Sequence, residues 1–211
     1  MSIPKRAAAA AAATVTALVL TACSSSGSTA GGSAGAGTTP ASSSSPAASA
    51  PGGASGSWDR NPDQSATAKK AGLQMLGNEM LQVHYHAHLD VIVDGQKITV
   101  PQYIGIDENQ QTITALHTHD PSGILHIESG EDIPFKLGQV FTEWGQPLST
   151  TQVGPVALSG DKVVKLIVNG KEIAGDPADY VLKAHDEVVV WVGAKDQTPQ
   201  VPTSFTFQAG L

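Results

Sequence analysis

The chain has little cysteine, few aromatic residues and few basic residues. Its only cysteine, Cys23, excludes an intramolecular disulfide framework and any cysteine-rich zinc or iron–sulfur site. Twelve Lys and Arg residues against 19 Asp and Glu residues give a net charge of −7. This balance argues against general nucleic-acid binding, which normally requires a basic face. Because Cys23 is the only cysteine, any metal chemistry in the folded part of the chain has to use nitrogen and oxygen ligands.

The N-terminus has the pattern of a secretion signal. Lys5 and Arg6 precede an uncharged apolar run over 7–20, which is too short and too rich in alanine for a membrane-spanning helix. The run ends in Leu-Thr-Ala-Cys, which resembles the lipobox of bacterial lipoproteins. This resemblance implies that 1–22 is a signal peptide and that Cys23 is lipidated, with the protein anchored on the extracytoplasmic face of the cell membrane. The alternative is an ordinary signal peptide with a chance cysteine.

A segment of very low complexity follows the cysteine. Residues 24–57 are all Ser, Gly, Ala, Thr or Pro. Such a segment cannot bury enough apolar surface to offset the entropy cost of ordering its backbone. We therefore expect 23–57 to be a lipidated cysteine and a disordered tether. A folded, histidine-rich domain is expected over 58–211, either as one unit or as two lobes at 58–155 and 156–211.

Helical and strand patterns alternate along the folded part. Apolar residues at helical spacing predict helices over 66–81 and 137–144. Two-residue alternation predicts a long strand over 83–93, and Asp94-Gly95 predicts a hairpin turn after it. Further strands are expected at 98–100, 112–119, 124–129, 163–168, 171–173, 187–192 and around Phe205 and Phe207. The pattern predicts an α+β fold of mainly antiparallel β-hairpins with two short helices, and leaves open a β-grasp-like C-terminal lobe.

Six of the seven histidines lie between residues 84 and 126, so they are not scattered along the chain. Three of them, His84, His86 and His88, are two residues apart on the predicted long strand. Side chains at this spacing project from one face of a strand, about 6.6 Å apart, and Asp90 continues the same face. The strand therefore presents a row of imidazoles.

The other three histidines flank the predicted turn that begins at Asp120. A four-residue turn places His117 opposite His126, and it places Glu128 on the same side as His126. His119 stands directly before the turn. If this hairpin pairs with the long strand, up to five imidazoles and two carboxylates face one space.

This arrangement is typical of a metal site, because imidazole is the commonest metal ligand and needs partners that converge from adjacent positions. The predicted ligands are His84, His86, His88, His117, His119 and His126. Asp90, Asp120 and Glu128 are predicted to orient these rings or to act as alternative ligands. Copper and zinc are the first candidates, and a site of two histidines and one carboxylate would favour iron. The alternative is a pH-responsive or merely polar histidine face.

Three blocks of sequence carry a resemblance to a known family: HYHAHLDV at 84–91, LHTHDPSGILHIE at 116–128 and LGQVFTEWG at 137–145. They resemble a family of secreted or lipid-anchored domains of bacteria and archaea, and the likeness extends over 82–193. The histidine-rich blocks are its specific part. The resemblance implies an extracytoplasmic domain with a histidine site, and it implies no particular reaction.

Three classes of function fit these patterns. The first is a non-catalytic, lipid-anchored protein that captures, buffers or delivers copper or zinc. The second is a metal-dependent hydrolase or oxidoreductase at the same site, with Asp120 or Glu128 as general base. The sequence lacks a His-Glu-x-x-His or nucleophile motif, so no reaction class follows and the non-catalytic function is favoured. The third is an envelope interaction module without metal. The only partner that the sequence indicates is the membrane, through Cys23.

Overall fold

The computed structural model describes residues 56–211. The predicted signal peptide, Cys23 and nearly all of the predicted tether lie outside the described residues. Within 56–211, neither helix has the length and the apolar character needed to cross a membrane.

The described part contains two α-helices, one short 3-10 helix and eleven strands. The α-helices are α1 (Gln64–Ala71) and α2 (Leu137–Trp144), and the 3-10 helix is Pro177–Asp179. The first six strands are β1 (Val83–Val93), β2 (Gln96–Ile98), β3 (Ile106–Asp107), β4 (Thr112–Ile113), β5 (Leu116–His117) and β6 (Ile124–Ser129). The remaining strands are β7 (Gln152–Val153), β8 (Val156–Ala157), β9 (Lys162–Val168), β10 (Lys171–Ile173) and β11 (Glu187–Ala194).

Seven of these strands form one mixed sheet in the order β10-β9-β11-β1-β6-β5, with β2 paired to β1. Two small antiparallel sheets, β3-β4 and β7-β8, complete an α+β fold. Within the large sheet, β1 and β11 run parallel, and the other pairs are antiparallel. The parallel pair at the centre departs from the predicted set of hairpins, because it joins strands far apart in the chain.

Two hairpin turns follow the predicted pattern. Asp94-Gly95 joins β1 to β2, and Asn169-Gly170 joins β9 to β10. All four turn residues have positive φ, from 50° to 78°. Turns of this kind match the right-handed twist of the strands that they connect, and Asx-Gly pairs adopt the required backbone with little strain.

The two faces of β1 have different neighbours. Ala87, Leu89 and Val91 point into the main hydrophobic core, where they join Phe141 and Trp144 of α2. Alternation along the strand then places the histidines of β1 on the opposite face. Helix α2 buries the apolar residues that predicted it and ends at Gly145, whose φ of 87° is left-handed.

The predicted helix over 66–81 is wrong in its extent. Helix α1 begins after Asp63, whose side chain accepts a hydrogen bond from the Ala66 N–H, and it ends at Gly72 with a left-handed φ of 73°. The backbone of Leu76 then bridges to Ile113 of β4, so the apolar spacing beyond residue 72 belongs to an extended segment.

Two strand predictions also need correction. The segment 112–119 is divided into β4 and β5, because the Thr114 backbone N–H donates to Gly105 O between them. No strand forms in 195–211. The rings of Phe205 and Phe207 instead cover His88 and His185, so their alternation reflects side-chain packing and not backbone pairing.

Strands from both predicted lobes, 58–155 and 156–211, lie in the large sheet, where β11 is the neighbour of β1. The β-grasp-like character of 156–211 stays a prediction.

Candidate metal centre

Strand pairing brings five histidines together at one end of the large sheet. Antiparallel pairing of β1 with β6 sets His86 opposite His126, and pairing of β5 with β6 sets His117 opposite the same residue. His84 and His119 are each two residues from one of these and lie on the same side of the sheet. We call these five residues the histidine cluster. The predicted register of His117 with His126 is confirmed.

Ring nitrogens converge within the histidine cluster. Nε2 of His86 lies 3.3 Å from Nε2 of His84 and 3.1 Å from Nδ1 of His126. Nε2 of His117 lies 3.2 Å from Nε2 of His119. Two nitrogens bound to one tetrahedral zinc ion, each at about 2.0–2.1 Å, are separated by roughly 3.3–3.4 Å. The spacing of the rings therefore fits ligands around one ion, and it is also the spacing of N–H···N hydrogen bonds between the rings.

Two carboxylates border the histidine cluster. Oε1 of Glu128 lies 3.5 Å from His84 Nε2 and 3.5 Å from His126 Nδ1. Glu79 approaches from the segment after α1, with Oε1 3.6 Å from His119 Nε2. Glu128 was a candidate from the sequence, whereas Glu79 was not, because it lies in a segment without strand or helix periodicity. Only the fold reveals its proximity.

A backbone contact fixes the tautomer of His117. Nδ1 of this ring lies 2.9 Å from the carbonyl oxygen of Thr114, which can only accept a hydrogen bond. Nδ1 therefore carries the proton, and Nε2 presents its lone pair to the other rings. Histidine ligands of metal ions typically donate their second N–H to a carbonyl or carboxylate in this way.

Burial keeps several of these rings neutral. The pKa of His117 is lowered to about 3, chiefly by burial and also by the neighbouring His119 and His126. Burial likewise lowers the pKa of His126 to about 4 and lowers the pKa of His86. Burial raises the pKa of Glu128, and the nearby Glu79 carboxylate raises it as well. Neutral imidazoles are the form that binds a metal ion.

The histidine cluster is open to solvent on one side. The side chains of His84 and His119 are 40% and 43% exposed, whereas His86 and His117 are buried. An ion can therefore enter past the two outer rings and reach the two inner ones. A neighbouring cavity of about 450 Å³ is lined by Leu73, Met80 and Phe135 among others, and by none of the histidines.

His88 lies apart from the histidine cluster, in a buried group with Asp90 and Glu187. Its Nδ1 lies 2.7 Å from Glu187 Oε2, and its Nε2 lies 3.0 Å from the Ser122 carbonyl oxygen. Both ring nitrogens thus already contact oxygen atoms of the protein. Asp90 lies 2.6 Å from the ammonium of Lys97. We infer that this group supports the fold.

Two further residues lie near the histidine cluster without joining a group of converging donor atoms. Asp120 accepts a hydrogen bond from the Ser122 N–H, and its hydrogen bonds with Ser122 lower its pKa. Asp120, a candidate ligand from its place in the sequence, makes this turn contact in the structure and belongs to no group of converging donor atoms within 56–211. The His185 backbone N–H donates to His86 O, and its ring contacts Phe207.

Comparison of the chain with protein-family models, with curated proteins and with solved structures finds no match. The interpretation of this site therefore depends on its own geometry.

Acidification of the metal-free protein gives a direct check on the buried rings. We expect His117 and His126 to stay neutral at pH 5, where an unperturbed histidine is largely protonated. Nitrogen chemical shifts of the imidazoles, followed by NMR from pH 7.5 to 4, measure this. Because the unfolded rings take up protons near pH 6.5, these residues contribute stability that is present above pH 6.5 and lost as the pH falls toward 4. Protonation of either ring with a midpoint near 6.5 would contradict the expectation.

Proposed function

We propose that this protein is a lipid-anchored, extracytoplasmic metal-binding protein that captures, buffers or delivers copper or zinc. The observation that carries the proposal is the convergence of imidazole nitrogens at 3.1–3.3 Å, within a cluster that opens to solvent. Without an ion, neighbouring rings can share N–H···N hydrogen bonds; with an ion, the same nitrogens become ligands. An accessible site that needs no substrate cleft suits capture and release.

The donor set supports the choice of metal. Imidazole nitrogens with one or two carboxylates suit zinc, copper(II) and non-haem iron, whereas calcium prefers oxygen ligands alone. No thiolate is available in 56–211, since the only cysteine is Cys23. Copper is favoured by its intrinsic affinity for such ligands, and zinc by its lack of redox chemistry. Iron is the third candidate, because Glu128 supplies the carboxylate that a non-haem site uses.

The proposed location at the membrane surface depends on the N-terminal sequence. A lipidated Cys23 would hold the protein at the membrane surface, and the tether over 24–57 would let the folded part stand away from it. The net charge of −7 attracts cations and supports no interaction with nucleic acid. The resemblance to secreted and lipid-anchored domains points to the same compartment.

Elemental analysis of the chain, purified without a histidine tag and without chelator, tests the proposal. We expect stoichiometric copper or zinc in the wild type and nearly none in the double variant His86→Ala/His117→Ala. Loss of a group that merely orients a ligand costs about 10–100-fold in affinity, so loss of two inner ligands costs more. Circular dichroism verifies that the variant is folded. A wild-type protein that retains no metal after incubation with zinc and copper would overturn the proposal and favour an envelope interaction module.

A metal-dependent enzyme is the second candidate, and Glu128 favours it. This carboxylate is buried beside the histidine cluster with a raised pKa, and its Oε2 has no hydrogen-bond partner within 56–211. Those are the properties of a general base next to a metal-bound water. A metal-loaded protein with an exchangeable water on the ion, detected by inhibitor-anion binding in optical spectra, would support an enzyme. Saturation by four or more protein ligands would support storage or delivery.

A further inference from the structure

We infer that the histidine cluster binds two metal ions as a dinuclear centre, with Glu128 as the bridging ligand. The inference depends on the proposed metal-binding function and extends it to the number and the arrangement of the ions. It begins from two sets of donors that share no residue. The turn triplet is His117, His119 and His126, and the strand triplet is His84, His86 and Glu128.

Each triplet is large enough to hold an ion by itself. Within each one, a donor atom from every residue lies within 4.8 Å of the others. Three protein ligands with an open fourth position are a common arrangement for zinc. A single tetrahedral ion takes only four ligands. The two triplets together offer six donors, so one such ion would leave two of them unbound.

The two triplets are in direct contact. His86 Nε2 of the strand triplet lies 3.1 Å from His126 Nδ1 of the turn triplet, and the two rings meet edge to face with centroids 4.5 Å apart. Ions in two-metal sites lie about 3.5–4 Å apart. Because these rings are in contact, two ions held one in each triplet would be close neighbours.

Glu128 lies where a bridging ligand is needed. Its Oε1 is 3.5 Å from His84 of one triplet and 3.5 Å from His126 of the other. Its side chain is only 6% exposed, and its Oε2 has no hydrogen-bond partner within the described residues. An unpartnered buried carboxylate oxygen is unfavourable unless a cation or a donor contacts it. A second ion would supply that contact.

Glu79 adds negative charge at the same place. It shares a third group of converging donor atoms with His117 and Glu128, and so connects residues of both triplets. Two carboxylates close together repel each other, which disfavours the charged pair unless a shared proton or a cation lies between them. Two divalent ions offset this repulsion more fully than one.

Native mass spectrometry of the full chain, titrated with zinc(II) or copper(II), counts the bound ions. We expect two equivalents in the wild type and one in each of two single variants, His84→Ala and His119→Ala. The two variants are matched, because both replace an outer ring of similar exposure. Each substitution removes a ligand from one triplet only. His185→Ala, beside the histidine cluster but outside both triplets, serves as control and should retain two equivalents.

Electron paramagnetic resonance of the copper(II) form gives an independent readout. Two nearby copper(II) ions couple, so with two equivalents bound we expect either a half-field transition or less signal intensity than two uncoupled ions would give. Neither is expected in the single variants. One equivalent in the wild type would overturn the dinuclear centre and leave the proposed function standing. No bound metal would overturn both. Two equivalents with the full signal of uncoupled copper(II), or two equivalents retained in both variants, would also overturn the dinuclear centre.

Discussion

His88→Ala destabilises the folded protein by about 3–5 kcal/mol and leaves its metal content unchanged. His88 is 3% exposed, and its ring stacks on Phe205 with centroids 3.9 Å apart. Its removal leaves the Glu187 carboxylate, which is 1% exposed, without its partner. An uncompensated charge at such a buried position is the main cost, and the lost packing against Phe205 adds to it. Urea unfolding in chelator measures the stability, and elemental analysis measures the metal.

His84→Ala is the matched control, because His84 and His88 lie on the same face of β1. His84 is an outer ring of the histidine cluster, and we expect its removal to lower metal binding and to change stability by less than about 1 kcal/mol. His88→Ala should therefore lose stability and keep its metal, whereas His84→Ala should lose metal and keep its stability. If His88→Ala lost metal while its stability stayed within about 1 kcal/mol of the wild type, His88 would be a ligand and not a structural residue.

Glu143→Gln stabilises the protein increasingly as the pH rises, and the gain at pH 8 exceeds the gain at pH 5 by about 3 kcal/mol. Glu143 lies in α2 with 0% exposure, its carboxylate oxygens have no hydrogen bond of ordinary geometry in the described part of the chain, and the nearby Thr114 side chain offsets the effect of burial only in part. Burial raises its pKa to about 8, so the carboxyl is neutral below that pH. In the unfolded chain the same group ionises near pH 4.5.

The direction of the pH dependence follows from this difference between the folded and unfolded pKa values of Glu143. The stability associated with Glu143 is fully present below pH 4.5 and is lost as the pH rises through 8, because the unfolded chain releases the proton first. Glutamine has no proton to release, so the variant avoids that loss. Urea unfolding at pH 5, 6.5 and 8 in chelator tests this, with the same substitution at the exposed Glu108 as control. An equal effect of Glu143→Gln at pH 5 and pH 8 would show that the buried carboxyl does not titrate as inferred.

Much of the histidine cluster follows from local patterns in the sequence. Strict alternation places His84 and His86 on one face of β1, and the turn that begins at Asp120 places His117 opposite His126. Both depend only on residues close in the chain, where strand geometry and turn chemistry act directly. The same reasoning failed for residues beyond Gly72, because a glycine in left-handed conformation ended α1 and the apolar spacing continued without a helix.

Other parts of the site depend on contacts between distant segments. The pairing of β1 with β6, which sets His86 opposite His126, joins two hairpins whose sequences would allow other partners. Glu79 comes from an irregular segment, and Glu187 reaches His88 across the parallel pair of β1 and β11. No local pattern encodes these approaches, because strand order depends on the packing of the whole sheet against its core.

The sequence alone determined the kind of chemistry available to this protein, since its single cysteine excludes cysteine-rich sites and its histidines recur at strand spacing. It also determined most of the element types and the Asx-Gly turns, because these depend on neighbouring residues. The tertiary structure decided which five histidines form the cluster and which carboxylates approach them. It also placed His88 outside the cluster, against the Glu187 carboxylate. Those outcomes depend on long-range strand pairing, where the burial of many side chains together selects one arrangement.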